Sequence, residues 1–237
     1  MSKALQIAID GPASAGKSTV AKLVAKKLHY VYCDTGAMYR AVTWQAMALG
    51  LDLTDEPEIL KVVKTYPIRF VAADPVQQVF IGDQDVTTAI RQPNVTNNVS
   101  TVAALASVRA ALVEQQRAIA DQGGIVMDGR DIGTTVLPQA QVKIFLVASV
   151  AERARRRYEE NLTKGINTPL ATLEHEIEVR DHKDSTRKVS PLTQAKDATR
   201  LDTTPLSIDE VVAEIYETAK KKEKDPNCQI KCNTQYK

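Results

Sequence analysis

The sequence predicts an α/β fold, a doubly wound parallel sheet with helices on its faces and a small β-rich insertion. Three observations predict it. Short apolar runs alternate with amphipathic stretches over residues 5–64 and again from 107 onward, the rhythm of a parallel sheet with crossover helices. Between them, "IRFVAAD" (68–74), "QQVFIGD" (77–83) and "DVT" (85–87) follow too closely for crossover helices, so they read as antiparallel strands. Finally, the first apolar run leads directly into a glycine-rich loop and then a helix.

Each element can be argued in order. "LQIAID" (5–10) is short, apolar and ends at a glycine, as a buried parallel strand does. After "GPASAGKST", the stretch "VAKLVAKKL" (20–28) has apolar residues at helical spacing. "YVYCD" (30–34) reads as a strand, "TGAMYRAVTWQAMALG" (35–50) as a helix closed by Gly50, and 56–64 as a third helix. "NVTNNVSTVAALA" (94–106) is expected to be helical in part. "SVRAALVEQQRAIADQGG" is a clear helix, with Ser107 as N-cap and Gly123-Gly124 as stop. "IVMD" and "VKIFLVA" (142–148) return to buried strands, followed by polar helices over 150–164 and 169–183. A short strand "TRLDT" (199–203) and a helix from Ser207 complete the body. "KKKEKDPNCQIKCNTQYK" is charged, aperiodic and contains Pro226, so it reads as a solvated tail. There is no internal repeat.

Bulk properties narrow the function. The chain has 237 residues, 43% hydrophobic and 25% charged, an ordinary globular composition. Thirty-one basic and 29 acidic residues leave a net charge of +2, too little for a nucleic-acid coating protein. No apolar run approaches the ~20 residues of a membrane helix. The opening "MSKALQIAID" enters a strand without a leader-like apolar region, and the three cysteines, Cys33, Cys228 and Cys232, are an odd number. The expectation is a reducing cytoplasm. Cys228 and Cys232 could share a helix face, but no second ligand pair accompanies them, so they are read as part of the tail.

Residues 11–19 fit G-x-x-x-x-G-K-[ST]: Gly11, Pro12, Ala13, Ser14, Ala15, Gly16, Lys17, Ser18 and Thr19. Glycines let such a loop curl so that backbone N–H groups point inward at a phosphate, and the following helix adds its positive end. Lys17 would reach the β- and γ-phosphates, and the Ser18 hydroxyl would ligate Mg²⁺. The strand before and the helix after are the context this mechanism demands, so the loop reads as a nucleoside triphosphate site. A switch GTPase would add N-K-x-D, which is absent. A small-molecule kinase needs instead a second phosphate site and an arginine-bearing cover that excludes water. Arginines meet that demand. Arg153 and Arg157 lie four apart with Arg155 and Arg156 between them, a face of like charges that an anion would relieve. Arg180, Asp184 and Arg187 fall at i, i+4 and i+7, while Arg40 and Arg109 sit near helix starts. The strand "IVMD" ends in Asp128-Gly129-Arg130-Asp131, either a tethered ion pair or a ligand site.

"GPASAGKST", "DTGAMYRA", "MDGRDIGT", "KIFLVAS…ERARRR" and "RDHKDSTR", in this order and over about residues 4–220, resemble the bacterial cytidylate kinases. Adenylate kinases carry D-G-F-P-R where this chain has Asp128-Gly129-Arg130-Asp131, which argues against an AMP acceptor. The resemblance implies a three-layer P-loop fold with a central parallel sheet, a β-rich monophosphate-binding insertion and a helical lid. It implies a core of 1–34 with 105–150 and 188–222, a monophosphate-binding domain of 35–104 with its insertion at about 65–90, a lid of 151–187, and a tail of 223–237. The implied reaction moves the γ-phosphoryl of ATP to CMP or dCMP with Mg²⁺, in a cytoplasmic monomer without nucleic-acid or membrane partners. Thr35, Tyr39 and Arg40 match acceptor-pocket positions, the first with a hydroxyl where relatives often have serine. Ser100, Arg109 and Asp131 match base-reading positions, Asp131 suiting the cytosine amine. Arg180 and Asp184 match sugar-binding positions, although Asp184 could instead pair with Arg180 or Arg187. Arg40, Arg130 and Arg187 match the acceptor-phosphate clamp, Asp128 the acid that orients Mg²⁺ through water, and Arg153 and Arg157 the lid arginines. His29, His175 and His182 share no motif and receive no role. A different acceptor (UMP, AMP or a small alcohol), or a nucleotide-binding switch without transfer, stays open.

Overall fold

A computed structural model describes residues 4–71, 73, 77–163 and 165–225. Lys164 of the predicted 150–164 helix and the tail from Pro226, with Cys228 and Cys232, lie outside the described residues. The chain forms two compact units. The first comprises the described residues up to Cys33, Ile119–Thr186 and those from Ser190 on; the second is Asp34–Ala118 with Arg187–Val189. The division therefore falls at 118/119, and the helices expected to form a lid group with the first unit.

In the first unit a five-stranded sheet runs in the order β2 (Val31–Asp34), β6 (Ile125–Gly129), β1 (Gln6–Asp10), β7 (Val142–Val147), β8 (Thr199–Asp202). The pairs β1–β6, β1–β7 and β7–β8 are parallel, with Ile9 opposite Asp128 and Ile144. Ile7 and Ile9 are fully buried, as the continuous apolar run required; each such side chain contributes about 1.5–3 kcal/mol. Helix α1 (Lys17–Leu28) packs against α8 (Ile208–Glu223), their Val20, Val24, Val211 and Ile215 joining the sheet's core. Ser207 caps α8 in a capping box with Glu210. Helices α6 (Val150–Thr163) and α7 (Leu170–Thr186) pack through Ala154, Leu173 and Ile177. Helix α7 runs three residues beyond its expected end, which places Asp184 in its last turn.

The second unit holds α2 (Thr35–Ala48), α3 (Glu56–Thr65), α4 (Pro93–Ala103) and most of α5 (Ala106–Ala120). Asp34 caps α2 by accepting from the Ala37 N–H, and Asp55 caps α3 by accepting from Glu58. An antiparallel sheet of β3 (Ile68–Val71), β4 (Gln78–Ile81) and β5 (Gln84–Asp85) lays Val79 and Ile81 against Ala37 and Ala41. The strands are shorter than expected. Gly82 turns the chain at φ +58°, and beyond β5 the Thr87 hydroxyl takes the Val79 N–H that a longer strand would pair. Ala72 and Asp74 of the expected first strand lie outside the described residues. One capping expectation is corrected. Helix α5 begins at Ala106, so Ser107 stands inside its first turn, and its N–H donates to the Glu56 carboxylate at 2.5 Å.

Candidate active site

The loop between β1 and α1 has a geometry that its residue types dictate. Gly11 adopts φ +147°, and a Cβ there would lie 2.1 Å from the Leu146 carbonyl oxygen, so only glycine fits. Gly16 and Ser14 are also left-handed, at φ +88° and +58°. No side chain caps the first turn of α1, so its amide end faces whatever the loop holds. Lys17 is 5% exposed, and its Nζ donates to the Pro12 carbonyl at 2.5 Å. Burial pushes its pKa well below the usual lysine range; Arg130 and Arg180 add to that, while Asp128 and Asp10 oppose it. Arg130 and Arg180 thus lie close enough to Lys17 for their charges to be felt there, a repulsion that an anion in the loop would relieve.

Ser18 Oγ donates to Asp128 Oδ2 at 2.8 Å, and the Tyr32 hydroxyl donates to Asp128 Oδ1 at 2.9 Å. Asp10, the last residue of β1, accepts the N–H groups of Ile132 and Gly133 at 2.8 and 2.7 Å. These amides open a π-helical turn, Ile132–Val136, straight after Asp131. Burial raises Asp10 to about 6 against those two hydrogen bonds.

Arg130 Nε donates to Asp184 Oδ2 at 2.9 Å, an ion pair between the β6 tip and the end of α7. Arg130 lies 54 positions from Asp184, a partner that helical spacing does not offer. Arg153 is 4% exposed and donates to the Ala13 carbonyl at 3.1 Å and the Ala148 carbonyl at 3.0 Å, with Asp181 2.6 Å away. It therefore braces the phosphate loop from beneath. Arg156 donates to the Thr203 carbonyl at 2.6 Å and to Glu152, and Arg155 pairs with Glu152 and Glu159. The like-charged face is thus largely neutralised from within. Arg157 is half-buried and has no ion-pair or hydrogen-bond partner among the described residues. Asp131 is buried at 5% exposure, and Arg180 is half-buried.

In the second unit the buried carboxylate of Asp34 collects two arginines, Arg40 at 2.9 Å and Arg91 at 3.5 Å. Arg40 lies across the first turn of its own helix, where a Cβ on Gly36 would be 2.9 Å from Nη1. Arg40 Nε is buried without a partner. Arg109, 2% exposed, donates to the Ala103 carbonyl at 3.0 Å and stands 5.3 Å from the Tyr39 ring centroid. Thr35 is buried; Ser100 and Arg187 are half-buried. The structure thus brings together Ser18 with Asp128, Arg130 with Asp184, and Tyr39 with Arg109. Asp10, Tyr32, Asp34, Arg91 and Arg156 were not singled out from the sequence. Asp34, directly ahead of a helix, carried a capping signal, and Arg156 stands one turn from Glu152; Asp10, Tyr32 and Arg91 make contacts too distant in sequence to leave a signal.

A glycine loop between strand and helix, a buried lysine and a serine–aspartate pair define a P-loop nucleotide-binding protein. Comparison with known proteins refines the class. The family model "Cytidylate kinase" matches residues 7–221. A cytidylate kinase of Lactiplantibacillus plantarum is 68% identical over 93% of this chain and 97% of its own. One from Ligilactobacillus salivarius is 65% identical over 91% and 96%. The chain belongs to the cytidylate kinase family. A crystal structure of an uncharacterized protein from Eubacterium ventriosum shares the fold at 11% identity, with a TM-score of 0.50 over 92% of this chain and 99% of that one.

Proposed function

We propose that the chain transfers the γ-phosphoryl of ATP to CMP or dCMP, giving CDP or dCDP and ADP. The observation that carries the reading is a phosphate loop built around buried Lys17, with Arg130 and Arg180 near it, in a chain 68% identical to a cytidylate kinase. Lys17 and the amides of residues 11–19 hold the donor phosphates. In the second unit Arg40 and Arg187 clamp the acceptor phosphate, Thr35 and Tyr39 line its surroundings, and Ser100 and Arg109 satisfy the acceptors of cytosine. In the first unit Arg130 serves the acceptor phosphate, Arg180 and Asp184 the sugar, and Asp131 the exocyclic amine. Arg157 meets the transferring group, and Arg153 holds the loop that presents it.

The nucleophile is a phosphate oxygen, whose monoester has a second pKa of about 6 and is largely ionised at neutral pH. No strong general base is needed. Positioning and charge neutralisation supply the catalysis. The oxygen donors of Ser18 and Asp128 suit Mg²⁺, which takes few protein ligands beside phosphate oxygens; among the described residues no cluster of three acidic, histidine or cysteine side chains suggests another metal. When bound, the ion would neutralise charge on the phosphates. We take the enzyme to work as a cytoplasmic monomer.

Coupled ADP release with ATP and a panel of CMP, dCMP, UMP and AMP tests the proposal. CMP and dCMP should turn over fastest. Faster turnover of UMP or AMP would reassign the acceptor, and tight ATP binding without transfer to any acceptor would make the protein a nucleotide-binding switch.

A further inference from the structure

Asp128 is held from both sides. Ser18 donates to one of its oxygens at 2.8 Å, and the Tyr32 hydroxyl donates to the other at 2.9 Å. A carboxylate turns about two bonds, and a donor on each oxygen fixes its plane. The two donors differ in what a bound cation asks of them. Ser18 would offer an oxygen lone pair to the ion while its own O–H still donates to Asp128. Tyr32 stands on the neighbouring strand β2, 96 positions from Asp128, and its hydroxyl donates to the carboxylate without belonging to the phosphate loop. Its ring is half-buried, with the Lys22 ammonium 5.7 Å from the centroid, so the ring is placed independently of the hydroxyl.

We propose that Tyr32 is a positioning residue, whose hydroxyl holds Asp128 in the orientation that receives a magnesium-bound water. The inference rests on the phosphoryl-transfer reading above and deepens it, because it assigns part of the metal requirement to a residue outside the P-loop motif. Partners of this outer kind fix the direction of a metal-facing group, and their loss weakens metal binding far more than folding.

The test uses the full chain and its Tyr32→Phe variant, which keeps the ring and removes only the oxygen. Binding of a non-hydrolysable ATP analogue is measured by calorimetry in excess chelator and at rising Mg²⁺. Without metal the two proteins should bind alike. The Mg²⁺ concentration that gives half of the metal-dependent gain should rise about tenfold in the variant, and turnover should recover at saturating Mg²⁺. Lys22→Ala, which alters the ring's neighbour and keeps the hydroxyl, should retain the wild-type Mg²⁺ requirement. An unchanged requirement in Tyr32→Phe overturns the proposal, as does an equal loss of affinity with and without metal, the mark of a packing role. If the unaltered chain shows no magnesium-dependent gain at all, the phosphoryl-transfer reading fails and this inference with it.

Discussion

Asp10 in the first unit and Asp34 in the second each end a core strand, and each is 4% exposed, yet their carboxyls shift in opposite directions. Burial raises both. At Asp10 the compensation comes from two backbone N–H groups, while Asp131 adds repulsion, and the pKa settles at about 6. At Asp34 burial is outweighed by the charges of Arg40 and Arg91, and the carboxyl falls below its ordinary 3.8. Depth therefore does not decide the ionisation of a buried acid; a guanidinium within reach does. The same contrast runs through two cations: Lys17 in the first unit is held by a carbonyl, Arg40 in the second by an acid.

The largest expected effect lies on the lysine side of that contrast. Lys17→Ala should lower turnover about a thousandfold for every acceptor alike, measured by ADP release, because no neighbouring side chain duplicates its place under the loop. If turnover fell for one acceptor only, the lysine would belong to the acceptor side. Next comes Asp34→Asn, which keeps the helix cap and removes the charge. It should cost about 3 kcal/mol in urea unfolding, since Arg40 loses its counter-charge in a buried setting. An unchanged midpoint would mean that the arginines pair equally well elsewhere.

Asp10→Asn sharpens the contrast through pH. The folded state holds the Asp10 proton up to about 6, against an ordinary value of 3.8. Its contribution to stability is therefore greatest below about pH 4 and is lost as pH rises toward 6, leaving a buried charge as a cost above that. The stability of the native chain relative to Asp10→Asn should fall by about 2 kcal/mol between pH 4 and 7. For Asp34 the sign is reversed. Its stabilisation is complete above the ordinary value and disappears only as pH falls through the lowered one, so the Asp34→Asn difference should be flat over the same window. Two parallel curves would remove the distinction between the acids.

What could be read from the sequence follows the same division between local and distant causes. The phosphate loop was legible because Gly11 and Gly16 occupy conformations that other residues resist, and the last helix was placed from Ser207, where the structure shows a capping box with Glu210. The short apolar strands and the antiparallel insertion were legible from period and spacing. Ser107 misled because capping serines look alike whether or not the helix has already begun. Spacing and resemblance set Arg153 beside Arg157; that its guanidinium also meets the carbonyls of Ala13 and Ala148 is not written in either. Arg130 with Asp184, and Tyr32 with Asp128, join positions 54 and 96 apart. No periodicity encodes such pairs; strand order brings Tyr32 to Asp128, and the packing of α7 brings Asp184 to Arg130.

The central claim is that the tip of β6 decides which nucleoside monophosphate accepts the phosphoryl group by reading its base, and Asp131 is the residue on which it rests. The most direct measurement is kcat/KM for CMP against UMP and AMP in Asp131→Ala. Losing a charged acceptor for the cytosine amine should reduce the preference for CMP by about ten- to a hundredfold, while ATP binding stays intact. A variant that keeps the full preference for CMP would contradict the claim and move base reading to other residues.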